Sequence, residues 1–150
     1  MPDDRRFRQS EAVLLEARRV LELEAASVRA LIDRLDASFV DAIEVLEATS
    51  GRVIVAGVGK SGIVARKIAS TLTSTGTPAT FLHPVEGLHG DLGLVQVGDS
   101  ALCISKSGET GELAGMVEYL VRLGIPLVAL TGNPESTLAM DDGCSRLFCS

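Results

Sequence analysis

Val53-Ile54-Val55-Ala56-Gly57-Val58-Gly59-Lys60-Ser61-Gly62 packs a β-branched run, a glycine turn and a helix start into one short stretch. Val53 to Ala56 carries no polar residue, as expected of a strand buried on both faces. Gly57 and Gly59 permit a tight turn, and the pattern that follows predicts a helix from Ser61 to about Thr75, ended by Gly76. The alternation continues downstream. Ala79 to Leu82, Ala101 to Ile104, Leu127 to Leu130 and Arg146 to Cys149 read as four more strands. Between them fall a short segment from Glu86 to Leu94, a helix from Gly111 to Leu123 ended by Gly124, and a helical piece after Pro134. Parallel neighbours need crossover connections, so the fold class is α/β with a five-stranded parallel sheet, doubly wound by helices on both faces. In such sheets ligands bind at the carboxyl ends of the strands, where the strand order reverses.

Upstream, Val13, Leu14, Ala17, Leu21, Val28, Leu31, Ile32 and Leu35 recur at helical spacing and predict an amphipathic helix from Glu11 to Leu35. A second helix is expected from Ser38, with the Ser38 hydroxyl as its cap, Phe39, Val40, Ile43 and Leu46 facing inward, and its end near Gly51. Residues 1–51 are thus two N-terminal helices and residues 52–150 the core of what is one structural domain overall. The long helix packs either on its own sheet or against another copy.

At 150 residues the chain is long enough to bury one core without staples. Hydrophobic residues at 46% and charged residues at 23% exclude a disordered tail, and no apolar run approaches the roughly 20 residues needed to cross a bilayer. Met1-Pro2-Asp3-Asp4-Arg5-Arg6 leads into a charged stretch without the apolar core of a secretory signal, so the expected location is the cytoplasm. Three cysteines fit a reducing compartment, with Cys103 a small hydrophobe in a strand, and Asp141-Asp142 reads as a solvated loop. A net charge of −6, 3% aromatics and no basic cluster argue against a nucleic-acid partner. An anionic ligand must therefore be held locally.

Two loops suit that task. Gly57-Val58-Gly59-Lys60-Ser61-Gly62 lets a ligand approach the backbone and offers the free N–H groups of a helix start. It matches G-x-G-x-x-G, but Leu82 is followed by His83 and Pro84 where a dinucleotide site needs an acid, and Ile54 stands where a P-loop needs glycine. Ser105-Lys106-Ser107-Gly108-Glu109-Thr110-Gly111-Glu112 opens onto the next helix with three hydroxyls, which suits a phosphate monoester, although a plain helix cap would need only one. A cation at a helix N-terminus opposes the dipole, so Lys60 calls for a functional reason, whereas Glu112 is stabilised there in any case. His83, before a proline at a strand end, reads as structural. His89, in a glycine-rich stretch, favours a site role. Two histidines six apart make no structural metal site.

Together with Ser74-Thr75-Gly76-Thr77-Pro78, His83-Pro84-Val85-Glu86-Gly87-Leu88-His89-Gly90-Asp91-Leu92-Gly93 and Thr131-Gly132-Asn133-Pro134-Glu135-Ser136, these loops resemble the sugar-isomerase (SIS) domain family, and within it the arabinose 5-phosphate isomerases. The resemblance covers nearly the whole chain, and His-Gly-Asp-Leu-Gly is its most specific element. It implies a flavodoxin-like SIS fold and a cofactor-free isomerase that interconverts D-ribulose 5-phosphate and D-arabinose 5-phosphate through an enediol(ate), toward Kdo and lipopolysaccharide. Carried over by position, the implied catalytic residues are Lys60, Glu112 and His89, the last also able to take an inhibitory zinc. The implied phosphosugar contacts are Gly59, Ser61, Ser105, Ser107, Gly108 and Thr110. The implied assembly is a homo-oligomer, dimer or tetramer.

This sequence departs from the family at Lys106, where asparagine is commoner. Active members also continue past the position of Ser150 with further catalytic residues, and most carry paired CBS domains. The expectation is accordingly a fragment of a longer protein or a trimmed relative. A phosphosugar sensor that has lost its acid–base set is the rival reading, and a dinucleotide-binding module is the third.

Overall fold

A computed structural model describes the backbone of residues 3–140 and 144–148 and the side chains of residues 9–140. The chain divides into two compact units, Met1–Leu35 and Asp36–Ser150. The first unit is helix α1 (Asp3–Ala30), closed by a 3-10 turn at Ile32–Arg34. The helix starts earlier than the apolar periodicity predicts, and its last expected turn tightens from α to 3-10 geometry. Glu16 and Arg19 pair on its surface at 2.7 Å. Its large apolar side chains are open: Leu14, Leu21 and Val28 are 56%, 65% and 67% exposed. No helix among the described residues is long and apolar enough to cross a membrane.

The second unit begins with α2 (Ala37–Glu47). Its cap is Asp36, not Ser38. Asp36 has the extended backbone a cap requires, and its carboxylate accepts from both the Ser38 N–H at 2.9 Å and the Ser38 hydroxyl at 2.6 Å. Those bonds hold the Asp36 carboxyl below its ordinary pKa, the Ser38 hydroxyl contributing most. The buried face also differs from expectation. Ala42, Val45 and Leu46 pack on the sheet, while Phe39, Val40 and Ile43 stay exposed. Ala42, 2% exposed, lets the helix backbone approach the strands where a larger residue would hold it off.

The sheet follows as β1 (Val53–Gly57), β2 (Ala79–Leu82), β3 (Ser100–Ser105), β4 (Leu127–Thr131) and β5 (Cys144–Phe148), all parallel, in the order β2-β1-β3-β4-β5. It has the five strands the alternation predicts; β5 starts two residues early, and Cys149 lies outside the described residues, as do Asp141 and Asp142. The crossovers are α3 (Gly59–Ser74), α4 (Pro84–Leu88) with a 3-10 turn at Asp91–Leu94, α5 (Gly111–Arg122) and α6 (Thr137–Met140).

Successive strand residues point to opposite faces, so the period of two splits the core. Val53, Val55, Leu102, Ile104 and Val128 meet Ala65 and Ala69 of α3 on one face. Ile54, Ala56, Cys103, Leu127 and Ala129 meet Leu113, Met116, Val117 and Leu120 of α5 on the other. Each large side chain buried this way contributes about 1.5–3 kcal/mol relative to exposure.

The turn from β1 into α3 has no room for side chains. A Cβ on Gly62 would stand 2.8 Å from the Gly57 carbonyl oxygen, and one on Gly57 would stand 2.9 Å from the Ser61 carbonyl carbon. Gly62→Ala should therefore lower the unfolding free energy by about 1–3 kcal/mol, the range for overpacking a well-filled core. Urea denaturation checks this, and an unchanged midpoint would show slack that these contacts exclude.

Candidate functional site

The strand order reverses between β1 and β3. The chain leaves β1 toward β2 on one side and β3 toward β4 on the other, so the loops after Gly57 and Ser105 diverge and leave a crevice between them. Helices α3 and α5 begin at its two sides. Both lack a side-chain cap: Val58 and Thr110, at the capping positions, make no such bond. The other helix starts of this unit are served by side chains, α2 by Asp36, α4 by the His83 ring, and α6 by Glu109. The uncapped N–H groups thus lie at the switch point, where an anion would satisfy them.

Gly59 opens α3 with φ +58, a left-handed conformation suited to glycine, and no atom lies within 4 Å of where its Cβ would be. Lys60 is exposed and Ser61 half-buried in the first turn behind it.

The loop after β3 holds itself together. Ser105 is buried, and its hydroxyl accepts from the Gly108 N–H at 3.0 Å and bonds the Thr110 hydroxyl at 3.0 Å. Gly108 has φ +72, and a Cβ there would overlap Ser136 and come 3.0 Å from the Thr131 hydroxyl. The Gly108 carbonyl accepts from the Leu138 N–H, and the Lys106 carbonyl from the Gly132 N–H, both at 3.1 Å. Ser107 is exposed, its Oγ accepting from the Glu109 N–H at 3.3 Å. Of the three hydroxyls expected to face a phosphate, Ser105 and Thr110 are thus bonded to each other, and Ser107 is the outward one.

Glu112 is exposed in the first turn of α5. His89 is exposed at the end of α4, with its N–H bonded to the carbonyls of Val85 and Glu86. Lys60, Glu112 and His89 therefore sit on three separate helix ends, with no hydrogen bond joining them. His83 is the structural residue its context predicts: its Nδ1 accepts from the Val85 N–H at 3.3 Å, and its ring meets Phe81 edge-on at 6.2 Å. The proton of the neutral ring is then on Nε2.

Sequence reasoning missed Glu109 and Ser136. The Glu109 carboxylate accepts from the Thr137 N–H at 2.8 Å and the Thr137 hydroxyl at 2.7 Å, bonds that hold its pKa below the ordinary value, the hydroxyl contributing most. Ser136, fully buried beneath Gly108, donates to the Asn133 carbonyl at 2.7 Å. No local signal could have revealed a pairing across 28 positions.

Hollows lie both beside these loops and away from them. One of about 270 Å³ sits behind the serine loop, between α5 and α6. A larger one of about 670 Å³ lies at the amino ends of β3 and β4, where Asp41, Glu44 and Asp99 line it with negative potential unsuited to an anion. Among the described residues no group of three or more His, Cys, Asp or Glu side chains is arranged to hold a metal ion.

The fold and its loops define an open parallel α/β domain with an anion-receptive crevice at its switch point. Residues 48–145 match the SIS domain, and the chain belongs to that family. It is 50% identical over 123 residues to the arabinose 5-phosphate isomerase KdsD of Pseudomonas aeruginosa, an alignment covering 82% of this chain and 38% of that protein. It is 46% identical over 131 residues to the arabinose 5-phosphate isomerase GutQ of Escherichia coli, covering 87% and 41%. A solved structure of an Escherichia coli protein in complex with arabinose 5-phosphate superposes with a TM-score of 0.85 at 37% identity, covering 93% of this chain and 75% of that one. The chain spans about two-fifths of the length of these curated relatives.

The division between inward and outward hydroxyls predicts unequal effects on stability. Ser105→Ala leaves the buried Gly108 N–H without its acceptor and should cost about 1–3 kcal/mol, whereas Ser107→Ala should stay within about 0.5 kcal/mol of the parent. Urea denaturation of the two variants, read by circular dichroism, checks the difference.

Proposed function

We propose that the chain is the isomerase domain of an enzyme that interconverts D-ribulose 5-phosphate and D-arabinose 5-phosphate, supplying the pentose phosphate from which Kdo of lipopolysaccharide is made. The observation that carries this reading is the pair of uncapped helix starts on either side of the switch point, with a lysine in the first turn of one and a glutamate in the first turn of the other. The arabinose 5-phosphate isomerases it resembles and the sugar-phosphate complex it superposes on support the choice of sugar.

In this reading the phosphate oxygens accept from backbone N–H groups at Gly59 and the helix starts, and from the hydroxyls of Ser61, Ser107 and Thr110, with Gly108 shaping the loop around them. Ser105 acts beneath them by holding Gly108 and Thr110 in place. Aldose and ketose differ only in the position of hydrogen on C1 and C2, so the reaction needs no redox cofactor. A base removes the proton from C2 of the aldose while the C1 oxygen takes up the electrons and a proton, and protonation at C1 with proton loss from the C2 hydroxyl then completes the ketose. Lys60 supplies positive charge to the enediolate oxygens, and Glu112 and His89 are the proton carriers. His89 is also the residue we assign to zinc inhibition.

The reaction is placed in the cytoplasm. We assign self-association to α1, whose stripe of Leu14, Leu21 and Val28 leaves large apolar surface in water. Residues 1–51 are then the N-terminal helices, with α2 packed on the sheet and α1 serving assembly, and residues 52–150 the phosphosugar core. A Leu14→Glu, Leu21→Glu double variant should lower the mass measured by light scattering to that of one chain. A parent protein that is already monomeric would sink the assignment.

Proton NMR of D-arabinose 5-phosphate in D2O tests the chemistry. The purified chain should introduce deuterium at C2, and Lys60→Ala should slow that exchange at least about a hundredfold, the scale of losing one acid–base or electrostatic group. Saturation transfer to the sugar without exchange would instead mark a binding domain that senses the ligand. The absence of both signals would refute a phosphosugar site.

A further inference from the structure

We infer that Glu109 is a positioning residue that sets the Ser107 hydroxyl toward the phosphate by latching its loop to the start of α6. The inference rests on the phosphosugar reading above for its ligand, but its geometry is independent of it.

Glu109 lies in the same exposed motif as Glu112, yet the two carboxylates are differently engaged. Both oxygens of Glu109 are occupied, one by the Thr137 N–H at 2.8 Å and the other by the Thr137 hydroxyl at 2.7 Å. The same residue donates its own N–H to Ser107 Oγ at 3.3 Å. One residue therefore links the α6 start to the outward hydroxyl of the loop. With an N–H occupying one lone pair of Ser107 Oγ, the hydroxyl keeps its proton free to donate to an anion. A neighbouring strut, the Leu138 N–H on the Gly108 carbonyl at 3.1 Å, anchors the loop to the same short helix.

The latch also settles an electrostatic conflict. A free carboxylate beside a phosphate loop would repel the ligand and compete for its N–H donors. Directed at Thr137, the Glu109 charge is met by an N–H and a hydroxyl instead. Its lowered pKa agrees with that arrangement.

A double-mutant cycle between Glu109 and Ser107 tests this, with the dissociation constant for D-arabinose 5-phosphate read by calorimetry. Glu109→Ala should weaken binding about tenfold, the scale of one well-placed hydrogen bond, and should add no further loss in a Ser107→Ala background. Glu109→Gln, which keeps the acceptor for the Thr137 N–H, should restore most of the affinity, and Thr137→Val should fall between. Losses from Glu109→Ala and Ser107→Ala that multiply, or a Glu109→Ala protein that binds like the parent, would overturn the inference. Amide hydrogen exchange over residues 106–110 gives a readout that needs no ligand. Faster exchange in Glu109→Ala, at an unchanged global urea midpoint, supports the latch even if the parent binds no phosphosugar, an outcome that would sink the proposed function alone. Unchanged exchange refutes the latch.

Discussion

Gly62 packs against the carbonyl of Gly57, and that contact governs the geometry of the whole site. Helix α3 can begin immediately beyond β1 only because neither residue carries a Cβ. A side chain at either would push the helix away from the strand and swing its first N–H groups out of line with the crevice. Both faces of β1 are fully buried, so the strand cannot move to compensate. The rigid core thereby fixes the direction of a set of backbone dipoles, which is what an anion site without a large positive field requires.

The two loops reach the same end by different physics. The loop after β1 works by lacking side chains, with Gly59 in a left-handed conformation and open space where its Cβ would be. The loop after β3 works by internal hydrogen bonds. Ser105 replaces water for a buried N–H, Gly108 sits over Ser136 where no Cβ fits, and Glu109 reaches the next crossover. Such a network needs every member satisfied, because a buried donor without an acceptor costs more than a formed bond contributes. The inward hydroxyls are thus a condition for the outward one to be useful.

Most of the architecture was legible because its causes are local. The apolar runs of the strands, the glycines after the helices and the doubly wound order all follow from neighbouring residues and a period of two or 3.6. The loops were legible too, as glycine and hydroxyl clusters between such elements. The misreadings arose where competition decided. Ser38 and Asp36 both suit a cap, and the carboxylate with extended backbone took the role. Helix α2 has apolar residues around much of its circumference, so its pattern could not tell that small Ala42, and not Phe39, would meet the sheet. The pairing of Ser105 with Thr110 and of Glu109 with Thr137 depends on how the loop folds back, which no spacing encodes.

In the proposed phosphosugar site, Lys60 shows how charge would be used. The domain as a whole is acidic, at −6, so its long-range field disfavours a phosphate, but that field is screened beyond about 8 Å at physiological salt. Recognition must then come from groups within a few ångströms. In the free domain a lysine in the first turn of α3 opposes the helix dipole, at a cost of about 0.3–1 kcal/mol. A bound dianion reverses that balance, because the same ammonium and the same N–H groups now act on the ligand together. On the proposed function the lysine is therefore unfavourable in the free domain and favourable in the complex, and such a difference between states is the form that binding energy must take to be specific for an anion.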